Sequence, residues 1–193
     1  MSRARPLAAA ALALALAAGA AGGQTPAPAP APGSGPAENA GRIIVAPDPD
    51  GRPQAGLPRA PVTVTLASGA TLDFDAEVAD RPETRAVGMM FRPEIADDAA
   101  MLFVYDRPQP ATFWMRNTLI PLDILFIDAD GFVTRVYAEA VPGDLTGLPS
   151  GGPIRSVLEI RGGLAAELGI GPGARVASIA LTRAWPALRG GAQ

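Results

Sequence analysis

Residues 101–140 read MLFVYDRPQPATFWMRNTLIPLDILFIDADGFVTRVYAEA. Four apolar runs stand in that stretch, at 101–105, 111–115, 123–128 and 132–140. Each is short, carries β-branched or aromatic residues, and is bounded by Pro, Asn, Asp or Gly, which is how strands are punctuated. Asp130-Gly131, between the last two, is a strong hairpin signal because Gly accepts the positive φ that tight turns need. The pattern repeats outward. VTVTLA and ATLDFDAEVA flank Ser68-Gly69 and predict a hairpin, and IRSVLEI at 154–160 and ARVASIAL at 174–181 predict two more strands. Two helices break the series. One runs from Arg81 to about Val87, with Asp80 as N-cap, Glu83 as its capping-box partner, Pro82 in the first turn and Gly88 as the stop. The other is GGLAAELGI at 162–170, closed by Gly169. The expected fold is mainly β, an antiparallel β-sandwich or barrel-like domain with one or two short helices.

The chain around this domain divides by composition. Residues 1–23 have a basic start, an apolar run from Leu7 to Ala18 and small residues after it, the layout of a signal peptide. The run is shorter than the roughly 20 residues a bilayer-spanning helix needs, and Ala18-Gly19-Ala20 fits a cleavage site. An uncleaved membrane anchor is the alternative. Residues 24–61 are rich in Pro, Ala and Gly, which favours extended geometry over a core, and are expected to be a disordered linker. Residues 62–184 form the folded domain, and 185–193 a short tail. The expected location is periplasmic or secreted.

There is no Cys, no His and no Lys; every basic residue is Arg. That excludes disulfides, a thiol nucleophile, a Schiff-base lysine and the usual activating base for Ser or Thr. Ten Arg stand against sixteen Asp and Glu in residues 62–184, a net charge of 10 − 16 = −6. Such a domain is a poor match for nucleic acid or an anionic membrane. The expected membrane link runs only through an uncleaved leader.

Candidate site residues gather between Arg85 and Asp123. Arg85, Arg92 and Arg116, with Asn117, could clamp a carboxylate, a phosphate or a sugar beside an aromatic face; the plainer reading makes each Arg an internal strut to an acid. Alternation along Phe113-Trp114-Met115 turns Trp114 opposite to its neighbours, available to stack on a ligand or buried under a second layer. Met89, Met90, Met101 and Met115 supply thioethers suited to Cu(I), or simply flexible core filling. Asp123 and Glu159 are acids inside apolar strand sequence. They either meet an Arg or face a cleft as an acid–base pair.

The ordered blocks Thr84-Arg85-x-x-Gly88-Met89-Met90-Phe91-Arg92, Met101-Leu102-Phe103, Phe113-Trp114-Met115-Arg116-Asn117-Thr118, Pro121-Leu122-Asp123-Ile124-x-Phe126-Ile127-Asp128 and Val157-Leu158-Glu159 resemble the bacterial and archaeal family called domain of unknown function 192. The likeness spans nearly all of residues 62–184. It departs from the family pattern at Ala100, Arg116 and Ser156, where Gly, Lys and Tyr are usual. The resemblance implies a compact β-rich domain, often exported, and supplies no catalytic residues.

The expected function is therefore non-catalytic binding of a small molecule or glycan in the cell envelope, at Arg85, Arg92, Trp114, Arg116, Asn117 and Asp123, with no cofactor. Two alternatives stay open: a hydrolase or lyase using Asp123 and Glu159, and an accessory protein that binds another envelope protein.

Overall fold

The structure is a computed structural model and describes residues 51–183. The leader, most of the linker and the tail lie outside the described residues. The elements run β1 (Arg59–Thr65), β2 (Thr71–Ala79), α1 (Pro82–Val87), β3 (Ala99–Gln109), β4 (Thr112–Phe113), β5 (Leu122–Ile127), β6 (Val133–Ala140), β7 (Leu148–Pro149), β8 (Ile154–Arg161), α2 (Leu164–Leu168), β9 (Arg175–Ser178) and α3 (Ile179–Arg183). Seven strands form one sheet in the order β6-β5-β8-β3-β2-β1-β9, and β4 and β7 form a second, two-stranded sheet.

The large sheet curls until its edges meet. Phe132 bridges Arg175, and Val133 N donates to Ala174 O at 2.8 Å and Val176 N to Gly131 O at 2.8 Å. Gly131 makes this seam possible: its φ is +89°, and a Cβ there would stand 2.9 Å from Val176 O. The mainly β, barrel-like architecture read from the strand pattern is the observed one.

All strand pairs are antiparallel except β2–β3, which are parallel. A parallel pair needs a crossover of a dozen or more residues. Here the crossover carries α1 and the 88–98 loop, and its Met89 packs into an apolar layer on the outer face of the sheet. The central strands are consequently buried on both sides. β5 is buried at all six positions and β8 at seven of eight.

Two cores result. The first, inside the curl, includes Val62, Phe74, Leu102, Leu125, Leu158, Ile160 and Val176. The second, under the crossover, includes Met89, Met101, Phe103, Met115, Ile124, Phe126 and Val157. Phe103, Phe113, Phe126 and Tyr137 cross the second core as an edge-on ladder with centroids 5.0, 5.6 and 5.8 Å apart.

Three local expectations need correction. The cap of α1 is Arg81, not Asp80, and its partner is Thr84, not Glu83. Arg81 N donates to Thr84 Oγ1 at 3.1 Å, and Thr84 Oγ1 donates to Arg81 O at 2.9 Å. The last strand stops at Ser178, whose hydroxyl accepts from Ala180 N at 3.3 Å as the chain turns into α3. The run at 111–115 is strand only at Thr112–Phe113, because β7 is just two residues long.

Candidate functional site

Asp123 is fully buried and held entirely by backbone amides. Its Oδ1 accepts from Glu139 N at 2.7 Å and Gly163 N at 2.9 Å, and its Oδ2 from Ala165 N at 2.7 Å. The carboxylate thus ties β6, at the left-handed Glu139 (φ 49°), to the start of α2. Three amide donors supply what burial took from the charge.

Glu159 lies on the other face. In the β5–β8 register Asp123 pairs with Ile160 and Glu159 with Ile124. Ile160 belongs to the inner core and Ile124 to the outer one. Side chains alternate across a sheet, so Asp123 and Glu159 point in opposite directions. The structure does not form the acid–base pair, and neither carboxyl lines a shared cleft.

Glu159 is only 4% exposed, and burial pushes its carboxyl up to about 8, against the opposing pull of the Arg92 guanidinium. Its Oε2 has no hydrogen-bond partner among the described residues, nor does the buried Nε of Arg92. Arg92 instead turns its Nη2 outward, to Glu77 Oε2 and, at 3.3 Å, to Gln54 O. Burial pushes the nearby Tyr105 hydroxyl up to about 12; Arg85 acts against that rise and Glu159 adds to it.

Arg85 is a strut to carbonyls. Its Nη1 donates to Asp80 O at 2.6 Å and to Val104 O at 2.7 Å, and its guanidinium lies 4.8 Å from the Tyr105 ring centroid. It pins α1 to β3. Asn117 adopts φ 55°, a left-handed conformation that Asn tolerates better than most residues. Its carbonyl accepts from Phe91 N at 2.8 Å, and Phe91 is itself left-handed at φ 62°. These two strained residues lock the crossover loop to the β4–β5 loop. The Asn117 amide rests against Met90 Sδ at 3.8 Å.

Met89, Met101 and Met115 fill the outer core beside phenylalanines, while Met90 is buried against Asn117. The thioethers act there as adaptable filling.

Trp114 is different. It is 45% exposed, while Met115 beside it is 1% exposed. The Arg116 guanidinium lies 5.9 Å from its ring. The segment carrying them is fixed to the β6–β7 loop: Met115 N donates to Asp144 O at 2.9 Å, and Gly143 N to Met115 O at 3.0 Å. Each segment adds exposed apolar groups, Leu119 at 57% on one, Val141 at 63% and Leu145 at 65% on the other. Four of the six large apolar side chains exposed among the described residues therefore stand on two joined loops. Leu119, Val141 and Leu145 carry no motif, and only the loop pairing reveals them.

Of the six expected ligand residues, Trp114 and Arg116 come together at the surface, Asn117 rests against Met90, and Arg85, Arg92 and Asp123 bond to other parts of the domain. Each of those three meets partners within the fold.

The sequence profile of the DUF192 family (Uncharacterized ACR) matches residues 63–178. A crystal structure of a protein of unknown function from Novosphingobium aromaticivorans is 50% identical over 69% of this chain and 94% of its own, with a TM-score of 0.62. Another, from Sinorhizobium meliloti and described as a "putative transcription regulator", is 36% identical over 65% of this chain and 97% of its own, with a TM-score of 0.63. No curated protein matches the chain. No helix among the described residues is long and apolar enough to cross a membrane.

Proposed function

The chain belongs to the DUF192 family, and from that premise we propose that it is a non-catalytic recognition domain of the cell envelope whose binding face is the joined loop pair bearing Trp114, Arg116, Leu119, Val141 and Leu145. The observation that carries this reading is the concentration of exposed apolar groups on those loops. Water-facing apolar side chains gathered in one place mark an interaction surface, whereas scattered ones do not. Trp and Arg are the residues that most often dominate such contacts.

The same observation favours a protein partner over a glycan. A sugar needs hydrogen-bonding groups around the stacking aromatic, whereas the large side chains these two loops expose beside Trp114 are the aliphatic Leu119, Val141 and Leu145. Arg85, Arg92 and Asp123 are engaged by other parts of the domain. A hydrolase or lyase is disfavoured because Asp123 and Glu159 face opposite sides of the sheet. Nucleic-acid binding, suggested by the description of the Sinorhizobium relative, is disfavoured by the net charge of −6, from ten Arg and sixteen acids in residues 62–184.

A photoactivatable residue at Leu145 tests the proposal in cells that express the full chain. It should join the protein to one discrete partner, and Arg116→Glu should abolish that product. The same probe at Ser68, an exposed residue in the β1–β2 turn, is the control. Equal labelling from both positions would sink the reading. A glycan that raises the melting temperature only when Trp114 is present would replace it with carbohydrate recognition.

A further inference from the structure

We infer that Glu159, Arg92 and Gln54 form a proton-operated latch on the segment leading into the domain, closed while Glu159 is neutral and opened when it ionises. The latch is independent of the binding face and lies under the crossover.

Residues 51–58 run along the crossover before β1 begins. Gln54 Nε2 donates to Thr84 O at 3.1 Å and to Gly88 O at 2.9 Å, and sits 3.9 Å from Met101 Sδ. The two carbonyls are at the C-terminal end of α1, where Thr84 O already accepts from Gly88 N at 3.0 Å and Gly88 O lies just past the last turn. The Gln54 carboxamide adds a second donor to the first and a donor to the other. Its own carbonyl oxygen on the backbone accepts from Arg92. Leu57 packs on the outer core, and Pro58 O accepts from Val78 N at 2.7 Å. The segment is thus anchored firmly at its β1 end and, further out, by Gln54 alone among the contacts described.

Arg92 is the moving part. Its outer nitrogen serves Glu77 and Gln54, while its buried Nε has no partner among the described residues. Glu159 also carries a buried oxygen without one. Met101 joins the two groups: it pairs with Glu159 across β3–β8 and touches Gln54. The other groups around Glu159 do not compete for it. Tyr105 on β3 is held neutral, Arg85 on α1 is spent on two carbonyls and the Tyr105 ring, Glu77 on β2 is engaged by Arg92 and Arg59, and β5 presents Ile124.

A neutral Glu159 exerts little pull. An ionised carboxylate in this layer is costly unless a cation turns to it. Arg92 is the cation within reach. Swinging its guanidinium inward withdraws Nη2 from Gln54 O and loosens residues 51–57, where Gln54 lies against Met101.

The chain has no Cys, so Ala55→Cys in the full-length protein gives a unique attachment point for a nitroxide on the exposed side of the segment. The spin label should be immobilised at pH 6 and mobile at pH 9.5, with a midpoint near the value of about 8 for Glu159. Glu159→Gln should keep it immobilised at both values. Gln54→Ala, a partly exposed change that leaves both cores intact, should make it mobile at both. A label whose mobility ignores pH in the unsubstituted background would overturn the latch. So would a pH transition that survives in Glu159→Gln, or, should that variant not fold, in Gln54→Ala.

Discussion

Replacing Glu159 by Gln removes a proton site while keeping the shape of the side chain, and its effect on stability should depend steeply on pH. The carboxyl rises from 4.5 to about 8 on folding because burial disfavours its charge. Below pH 4.5 the folded and unfolded chains both hold the proton, and Glu159 costs nothing extra. Between pH 4.5 and about 8 the unfolded chain ionises while the folded one does not, so stability falls as pH rises. Above about 8 both are ionised and the loss is complete. A carboxyl raised from 4.5 to about 8 corresponds to about 5 kcal/mol. That is a large share of the roughly 5–15 kcal/mol by which domains are stable. Urea unfolding of wild type and Glu159→Gln, followed by far-UV circular dichroism from pH 4 to pH 9.5, measures it. The difference between the two proteins cancels every other titrating group. Gln should gain on Glu by several kcal/mol across that range, most of it between pH 5 and pH 8. Curves that stay parallel within about 1 kcal/mol would refute the argument, since Glu159 would then be ionising as freely as in the unfolded chain.

Asp123→Ala should cost about 3 kcal/mol or more, because three amides lose their acceptor, and hydrogen exchange at Gly163 and Ala165 should rise sharply while the rest of the sheet stays protected. Leu119→Ser and Val141→Ser should leave the unfolding free energy within about 1 kcal/mol of wild type, since both side chains are largely in water, yet both should abolish crosslinking from position 145. Gly131→Ala should destabilise by about 2 kcal/mol through positive φ and the close Val176 carbonyl, with the loss seen first as amide exchange at Val133 and Val176 along the seam. Asn117→Gly should be nearly neutral whereas Asn117→Val should cost about 2 kcal/mol, because only the first relieves the left-handed backbone, and thermal unfolding distinguishes them.

The strands were legible because their side chains alternate or run apolar between Gly, Pro and Asp, and such patterns are local. The Asp128–Gly131 turn was legible for the same reason: Asp128 Oδ1 accepts from Asp130 N at 3.0 Å and Phe132 N at 2.8 Å, all within four residues. The parallel β2–β3 pair was not, since nothing in either strand records which way its neighbour runs. Nor could the sequence separate Asp123 from Glu159. Both are single acids among apolar residues, and what distinguishes them is 16 and 42 residues away along the chain, in the amides of Glu139 and Ala165 that reach one of them and not the other.

Composition alone, with its lack of Cys, His and Lys, ruled out a thiol nucleophile, a Schiff-base lysine and a histidine base, and the ordered blocks from Thr84 to Glu159 placed the chain in its family. Tertiary structure decided the roles. A guanidinium is equally able to bind a ligand or a carbonyl, and Arg85 became a strut only because the crossover laid α1 beside Val104. Leu119, Val141 and Leu145 are ordinary residues until two backbone hydrogen bonds bring their loops together around Met115. Periodicity fixes which way a side chain points from its own strand, but what it meets depends on segments that only the folded chain brings close.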